Sequence, residues 1–226
     1  MSERVFWMNF EKYLKLQIEK HPSVQPKDLV NSQYIRIVPM LEQVAERLQR
    51  DKMWEKSGKV CVIAIDGRAA SGKSTLAKQL GEILEADIIH MDDFFLPIPL
   101  RTEERFQTPG GNVHYERFME EVLPYLGKPQ PFSYRKFDCS RMDYNGNIVV
   151  GTSKIRIVEG SYSCHPLFGR YADITVFSDV EPHEQSRRIL QRNGEAMAEM
   201  FRTRWIPLEE QYFETYNISE KADLKL

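Results

Sequence analysis

Residues 60–75, VCVIAIDGRAASGKST, constrain this chain more than any other stretch. Residues 60–65 are mostly apolar and predict a buried strand. Residues 67–74 then match the pattern G-x-x-x-x-G-K-S/T without a gap. Apolar residues recur behind the match at helical spacing: Leu76, Ala77, Leu80, Ile83 and Leu84. The stretch therefore predicts a strand, a glycine-rich loop and a helix, which is the context that this motif requires.

The glycine-rich loop has the chemistry to hold phosphate groups. Glycines let the backbone turn successive N–H groups toward an anion, and the start of the helix adds the positive end of its dipole. Lys73 would reach the β- and γ-phosphates, and the Ser74 hydroxyl would hold Mg²⁺. The alternative is a chance glycine loop between a strand and a helix. We expect a nucleoside triphosphate and Mg²⁺ to bind at this P-loop, formed by Gly67, Arg68, Ala69, Ala70, Ser71, Gly72, Lys73, Ser74 and Thr75.

The composition fits one α/β domain with a small addition. The chain has 226 residues, of which 42% are hydrophobic and 28% charged, enough for an ordinary core. A net charge of −2 without a long basic run argues against nucleic acid as a partner. Cys61, Cys139 and Cys164 form no C-x-x-C pair, so we expect neither zinc nor disulfides, and a cytoplasmic location. Because no apolar run approaches membrane-spanning length, we expect no membrane partner.

Strand and helix patterns alternate along residues 58–226 and predict a three-layer α/β domain with a mostly parallel five-stranded sheet. The expected strands cover residues 60–65, 87–90, 155–158, 173–177 and 222–226, the last of them short. Expected helices after the P-loop helix cover residues 115–126, 182–191 and 208–216, with a break at 205–207. Residues 1–57 are interpreted as a separate N-terminal helical segment that packs on the domain.

Two stretches inserted between these elements could form walls for a substrate. Residues 131–150 predict a β-hairpin that turns at Asn145-Gly146, the strongest short hairpin signal. Residues 96–114 show no periodic pattern and are predicted as a long loop, which in compact domains is usually functional. Arg101 and Arg105 of this loop could meet an anionic or hydroxylated substrate, or they could be solvated surface charges.

Acidic residues follow two of the predicted strands. Asp92 and Asp93 come after the strand at 87–90, and Glu159 ends the strand at 155–158. The carboxyl ends of parallel strands are where open α/β sheets bind ligands. Because adjacent residues on an extended chain point to opposite sides, one aspartate could face the phosphates while the other supports it. The alternatives are a turn or helix cap for the aspartates and a structural role for Glu159. His90 is expected to be a packed residue at the strand end.

Basic residues cluster after the fourth strand. Arg188 and Arg192 are four residues apart, so they share one helix face, and Arg187 lies beside them. Such a cluster could close over the phosphates and neutralise charge that develops during transfer. The alternative is an exposed charged face paired with Glu181 and Glu184.

These segments together resemble the uridine kinase family and its relatives nicotinamide riboside kinase, pantothenate kinase and phosphoribulokinase. The resemblance runs from about residue 60 to the C-terminus, and it depends on the P-loop and on MDDFF at 91–95, Glu159-Gly160 and the arginine-rich residues 186–193. It implies that Asp92 is the general base, that Glu159 lies near Mg²⁺ and the substrate, and that the arginines form a lid. It also implies self-association, which is common in the family.

The hairpin carries part of the family's acceptor-binding stretch. Tyr134 and Arg141 match it and are expected to hold the acceptor. Arg135 and Cys139 stand where the family has aspartate and histidine, and a thiol cannot give the hydrogen bond of an imidazole. The resemblance thus implies an ATP- and Mg²⁺-dependent kinase that phosphorylates a hydroxyl of a nucleoside or related metabolite, with the acceptor's identity open. The alternatives are a P-loop NTPase that uses water and a catalytically idle nucleotide-binding relative.

Overall fold

The computed structural model describes residues 58–226, together with Met8, Asn9, Lys12, Val44 and Glu46. These five residues are helical, and the remainder of the predicted N-terminal segment lies outside the described residues. The Asn9 side chain donates a hydrogen bond to the carbonyl of Ile83 at 3.2 Å, and Val44 is buried in the core. At these positions the chain contacts the same side of the domain. The division into a segment at 1–57 and a domain at 58–226 stays a prediction.

A five-stranded sheet forms the centre of the domain. Its order is β2 (Asp87–His90), β5 (Ile155–Glu159), β1 (Cys61–Gly67), β6 (Ile174–Ser178) and β7 (Leu224–Lys225). Each of its pairings is parallel, so the predicted sheet is confirmed, and the fifth strand has only two residues. The most buried strand, β1, lies in the middle, which places the loop that follows it near the centre of the sheet's carboxyl edge.

Apolar residues cover both faces of the sheet and make the three layers. Side chains alternate along a strand, so Ile63 and Ile65 pack on one face while Val62 and Ala64 pack on the other. The first face is covered by α1 (Lys73–Leu84). The other helices are α2 (Glu103–Gln107), α3 (Tyr115–Glu121), α4 (Pro182–Asn193), α5 (Glu195–Met200), α6 (Ile206–Tyr216) and α7 (Ile218–Lys221). Across residues 58–226 and the five isolated positions, no helix has the length and apolar character to cross a membrane.

Three helical predictions differ from the structure. The predicted loop at 96–114 contains a 3₁₀ turn at Ile98–Leu100 and α2, which is capped by the Thr102 side chain accepting from the Arg105 amide. α3 ends at Glu121, before the predicted end at 126. The predicted break at 205–207 is wrong: a π-helical turn, Phe201–Trp205, leads directly into α6. Pro207 lies in the first turn of α6, directly after the π-helical turn, where the hydrogen-bond pattern of the chain changes.

The hairpin forms as predicted, but its turn lies elsewhere. Strands β3 (Phe132–Asp138) and β4 (Asp143–Val150) are joined by residues 139–142. The Asp138 carboxylate stabilises this turn by accepting from the Ser140 amide at 2.9 Å and from its hydroxyl at 2.6 Å. Asn145 and Gly146, the predicted turn, instead form a bulge in β4, because the register shifts between Arg135 and Phe137. Gly146 has a φ of 78°, which a glycine in a bulge accommodates without strain.

Candidate active site

The P-loop joins the central strand to α1. Gly67 has a φ of 136°, and a Cβ atom there would lie 2.0 Å from the carbonyl oxygen of Ser178, so the neighbouring strand leaves room only for glycine. Gly72, with a φ of 100°, makes the second turn immediately before α1 begins at Lys73. The loop therefore presents its backbone at the start of a 12-residue helix, where N–H groups and the helix dipole favour an anion.

Lys73 is folded back over the loop. Its ammonium group donates to the carbonyl oxygens of Gly67 at 2.8 Å and Arg68 at 2.6 Å. Its side chain lies beside the cleft above the loop, and these two carbonyls hold it there.

Glu159 joins the ends of two strands and the P-loop helix. Its Oε2 accepts a hydrogen bond from the Ser74 hydroxyl at 3.1 Å, and its Oε1 lies 2.5 Å from Nδ1 of His90. This contact is the main cause that raises the pKa of His90. The expectation of a packed His90 is wrong: 48% of its side chain is exposed, because the carboxylate draws the ring to the open end of β2.

A 3₁₀ turn, Met91–Phe94, sends the two neighbouring aspartates in different directions. Asp92 is exposed to the cleft, while Asp93 is buried and accepts a hydrogen bond from the Tyr134 hydroxyl at 2.9 Å. Although Asp92 is reachable from the cleft, it lies deep among protein atoms. This partial loss of water is the main cause that raises the pKa of Asp92, and the negative charge of Glu159 adds to it. One aspartate thus faces the ligand space and the other fixes the hairpin.

A cleft of about 390 Å³ lies above the P-loop. Its walls include ten of the residues predicted from the sequence: Ala69, Ala70, Gly72, Lys73, Ser74, Thr75, Asp92, Glu159, Arg188 and Arg192. Phe95 and Gly160, which belong to the two acidic motifs, also line the cleft, as do Ser161, Phe201 and Glu209, which the sequence analysis did not single out. The structure therefore brings the loop, both acids and two of the three lid arginines to one place.

Other predicted residues lie outside the walls of this cleft. Gly67, Arg68 and Ser71 belong to the supporting side of the loop, where Arg68 pairs with Asp179 and Glu210. Arg187 pairs with Glu184 on the exposed face of α4. Tyr134 is buried under the hairpin, and Arg141 lies in the hairpin turn beside Asn145. Neither of these hairpin residues is brought into the cleft.

Arg188 connects the lid helix to the P-loop. Its Nη1 donates to the carbonyl of Ala70 at 3.1 Å, and its Nε donates to Glu184 at 2.7 Å. Arg192, one helical turn further along α4, also lines the cleft, and its guanidinium is 5.9 Å from the ring centre of Phe201. Two positive groups thus face the space that phosphates would occupy.

Three polar residues that the sequence analysis missed hold the site together. Asp66 is fully buried and accepts from the amides of Gly67, Tyr162 and Cys164 and from the Tyr212 hydroxyl. A carboxylate at the end of an otherwise apolar strand was its sequence signal. Glu209 accepts from the Ala69 amide and contacts Ser161, and nothing local in the sequence marks this pair.

The donor set at Ser74 and Glu159 fits Mg²⁺. A hydroxyl and a carboxylate 3.1 Å apart are the hard oxygen ligands that this ion prefers. Among the residues that the structure describes, no group of three or more His, Cys, Asp or Glu side chains could hold a metal. Mg²⁺ sites commonly use one or two protein ligands and complete their shell with phosphate oxygens and water.

A second pocket of about 280 Å³ adjoins the cleft and shares Phe95, Phe201 and Glu209 with it. Its other walls come from residues 101–112, the hairpin turn, the loop after β5, and residues 197–205: Arg101, Phe106, Asn112, Cys139, Met142, Tyr162, Met197 and Trp205. Asp92 helps to raise the pKa of the Cys139 thiol, so its charge acts within reach of this pocket's wall.

Solved structures share this fold at low sequence identity. No protein-family model and no curated protein matches the chain. A candidate fructose transport system kinase from Silicibacter sp. TM1040 matches with a TM-score of 0.66 and 23% identity, over 84% of this chain and 98% of that one. A possible uridine kinase from Bacillus stearothermophilus matches with a TM-score of 0.60 and 20% identity, over 81% and 99%.

A third structure, D-glycerate 3-kinase from Cryptococcus neoformans var. grubii, matches with a TM-score of 0.56 and 15% identity, over 78% of this chain and 88% of that one. Each of the three structures aligns with this chain over most of its own length. The chain therefore has the fold of the P-loop kinases.

Proposed function

We propose that this protein is an ATP- and Mg²⁺-dependent phosphotransferase that moves the γ-phosphoryl group to a hydroxyl of a nucleoside or related small metabolite. One observation carries the proposal. Asp92 faces the same cleft as Lys73, and a second pocket that could hold an acceptor shares three wall residues with this cleft. A base, a phosphate cradle and room for a second substrate are the parts that phosphoryl transfer to an organic hydroxyl needs.

The P-loop would hold the donor. Backbone N–H groups and the start of α1 favour the phosphates, and Lys73 would exchange its two carbonyl partners for β- and γ-phosphate oxygens. Ser74 and Glu159 would hold Mg²⁺, which neutralises phosphate charge when it is bound. Catalysis of this kind depends mostly on positioning and charge.

Asp92 would accept the proton of the acceptor hydroxyl. The acceptor oxygen forms a bond to the γ-phosphorus, and the bond from that phosphorus to the β,γ-bridging oxygen breaks. The hydroxyl proton goes to the Asp92 carboxylate, and ADP leaves with the bridging electron pair. The raised pKa of Asp92 makes it a stronger proton acceptor than an ordinary aspartate.

The acceptor pocket favours an organic hydroxyl over water. A hydrolase needs space for one attacking water, whereas the second pocket has a volume of about 280 Å³ and mostly apolar walls. Such a volume lies near the lower end of small-molecule sites. Phosphoryl transfer to an organic hydroxyl therefore fits this site better than ATP hydrolysis or nucleotide binding without catalysis.

The test is turnover of ATP and Mg²⁺ by the purified protein with uridine, cytidine, nicotinamide riboside, pantothenate and simple sugars. Mass spectrometry would detect an acceptor that has gained one phosphoryl group. Asp92→Asn should bind ATP but lose transfer, and the exposed Asp143→Asn should behave as the wild type. Near-normal turnover by Asp92→Asn would remove Asp92 from its role as base. ADP formation with no phosphorylated acceptor would favour water as the acceptor.

A further inference from the structure

The second pocket has flat apolar walls. Phe95, Phe106, Phe201 and Trp205 line it, with Met142 and Met197 between them. A polyol such as a sugar would lose water from several hydroxyls here and would find few polar partners in these walls, which costs free energy for each unpaired group. Aromatic walls instead favour a planar ring, which packs against their faces.

Arg101, in the wall of this pocket, and the exposed Arg204 beside it have no acidic partner among the residues that the structure describes. Arg101 lines the pocket, and its Nε donates only to the carbonyl of Leu96 at 2.7 Å. The Arg204 guanidinium lies 4.5 Å from the ring centre of Phe106 and 5.1 Å from that of Trp205, two walls of the pocket. Within residues 58–226 and the isolated described positions, neither forms an ion pair. Burial is the main cause that lowers the pKa of Arg101, and the positive charge of Arg204 lowers it further. The two charges therefore repel each other.

Arginines near them in the sequence have acidic partners. Arg105 pairs with Glu116, and Arg202 pairs with Glu199. The contrast singles out Arg101 and Arg204, whose mutual repulsion is not offset by an acidic side chain in the described part of the chain. The exposed Arg204 is stabilised instead by its two aromatic neighbours. An anion between them would supply that offset.

We propose that the acceptor is a hydroxyl compound with a planar, largely apolar ring and an anionic group, either a carboxylate or a phosphate, that binds between Arg101 and Arg204. The proposal rests on the proposed function, since it takes the pocket's occupant to be the phosphoryl acceptor. The ring packs against the aromatic walls, the hydroxyl points toward Asp92, and the anion lies at the arginine end. A neutral nucleoside or a ring-free acid satisfies only part of these contacts.

Matched probes test the anion directly. Calorimetry would measure binding of para-hydroxymethylbenzoate, para-hydroxymethylphenyl phosphate, the neutral para-hydroxymethylbenzamide and uridine to the full chain with Mg²⁺ and a non-hydrolysable ATP analogue. At least one anion should bind about tenfold or more tightly than the amide and uridine, as charged hydrogen bonds of this kind give. Whichever anion binds better distinguishes carboxylate from phosphate. Arg101→Gln should abolish the preference and Arg204→Gln should reduce it.

Arg202→Gln is the matched control, because Arg202 lies on the same π-helical turn as Arg204 but already pairs with Glu199. It should keep the anion preference, and all three variants should keep the affinity for the ATP analogue. Equal binding of amide and anions, no binding of either anion at millimolar concentration, or a preference that survives Arg101→Gln would overturn the inference.

Transfer is measured separately with the same compounds and ATP. If the anions bind with a preference that depends on Arg101 but no product is phosphorylated, the proposed class of ligand stands and the proposed phosphotransferase activity is refuted. Phosphorylation of uridine in preference to both anions would preserve the kinase and refute the anionic acceptor.

Discussion

Glu209 in α6 accepts a hydrogen bond from the backbone amide of Ala69 in the P-loop at 2.9 Å, across 140 residues of chain. The other carboxyl oxygen lies 2.8 Å from the Ser161 hydroxyl, which is itself 3.0 Å from the carbonyl of Gly67. Ser161 has a single hydrogen and cannot donate to both acceptors. A proton on Glu209 resolves this, because the acid then donates to Ser161 and Ser161 donates to Gly67. Burial raises the pKa of Glu209, which also favours the protonated acid.

Glutamine should therefore replace Glu209 with little loss. The amide can accept from Ala69 and donate to Ser161, as the neutral acid does. Glu209→Ala leaves the buried Ala69 amide without its partner and should reduce the free energy of unfolding by about 1–3 kcal/mol. Urea denaturation would measure the stability, and the KM for ATP should rise only in the alanine variant. A glutamine variant as unstable as the alanine variant would contradict a neutral Glu209.

The contrast between Glu209 and the P-loop shows which parts of this site a sequence can reveal. The P-loop, β1 and α1 are consecutive, so their residues fit a local pattern that fixes both fold and phosphate site. The acids at the ends of β2 and β5 follow from the sheet topology. Glu209 and Ser161 meet the loop only through tertiary packing, and no local spacing marks them.

The errors in the hairpin and lid have local causes. Asn145-Gly146 has the conformational freedom for a tight turn, but the same freedom suits a bulge, and Asp138 stabilises a different turn. Proline disrupts the regular hydrogen bonds of an α-helix, but here a π-helical turn precedes Pro207, and the chain stays helical from that turn into α6. In both cases one sequence signal permits two structures, and neighbouring contacts select between them.

The arginines of α4 should differ sharply in their effect on turnover. Arg188 faces the cleft and contacts the P-loop carbonyl of Ala70, whereas Arg187 pairs with Glu184 in solvent. Arg188→Gln should lower kcat by about a hundredfold, since it removes a charge aimed at the transferring group. Arg187→Gln should change kcat less than twofold. Steady-state kinetics with ATP and a phosphorylated acceptor would measure both, and equal losses would show that the helix face is assigned incorrectly.

Tyr134 should act on stability rather than on acceptor binding. Its hydroxyl donates to the buried carboxylate of Asp93, and its side chain is only 2% exposed. Tyr134→Phe leaves that carboxylate without this donor and should cost about 1–3 kcal/mol of unfolding free energy, with an unchanged KM for the acceptor. Tyr144→Phe on the facing strand is the control. A raised KM without a loss of stability would return Tyr134 to the acceptor site.

His165 is packed in the aromatic part of the core beneath the site. Its ring lies 5.7 Å from that of Tyr212 and 5.4 Å from that of Tyr115, centre to centre, and its Nδ1 accepts from the Leu167 amide at 3.2 Å. Burial lowers the pKa of His165 from 6.5 to about 4. The folded protein thus holds this ring neutral at a pH where the unfolded chain would protonate it.

The sign of the pH effect follows from that difference. Below pH 6.5 the His165 ring binds a proton in the unfolded chain, whereas in the folded protein it stays neutral down to about pH 4. The free energy of unfolding therefore falls as the pH falls through this range. The loss attributable to His165 is on the order of 3 kcal/mol. His165→Asn keeps an acceptor for the Leu167 amide but cannot titrate. Between pH 6.5 and pH 4, the free energy of unfolding of this variant should therefore fall by on the order of 3 kcal/mol less than that of the wild type. The exposed His183→Asn should keep the wild-type slope. An identical pH dependence of stability in His165→Asn would show that the folded protein protonates this ring as readily as the unfolded chain does.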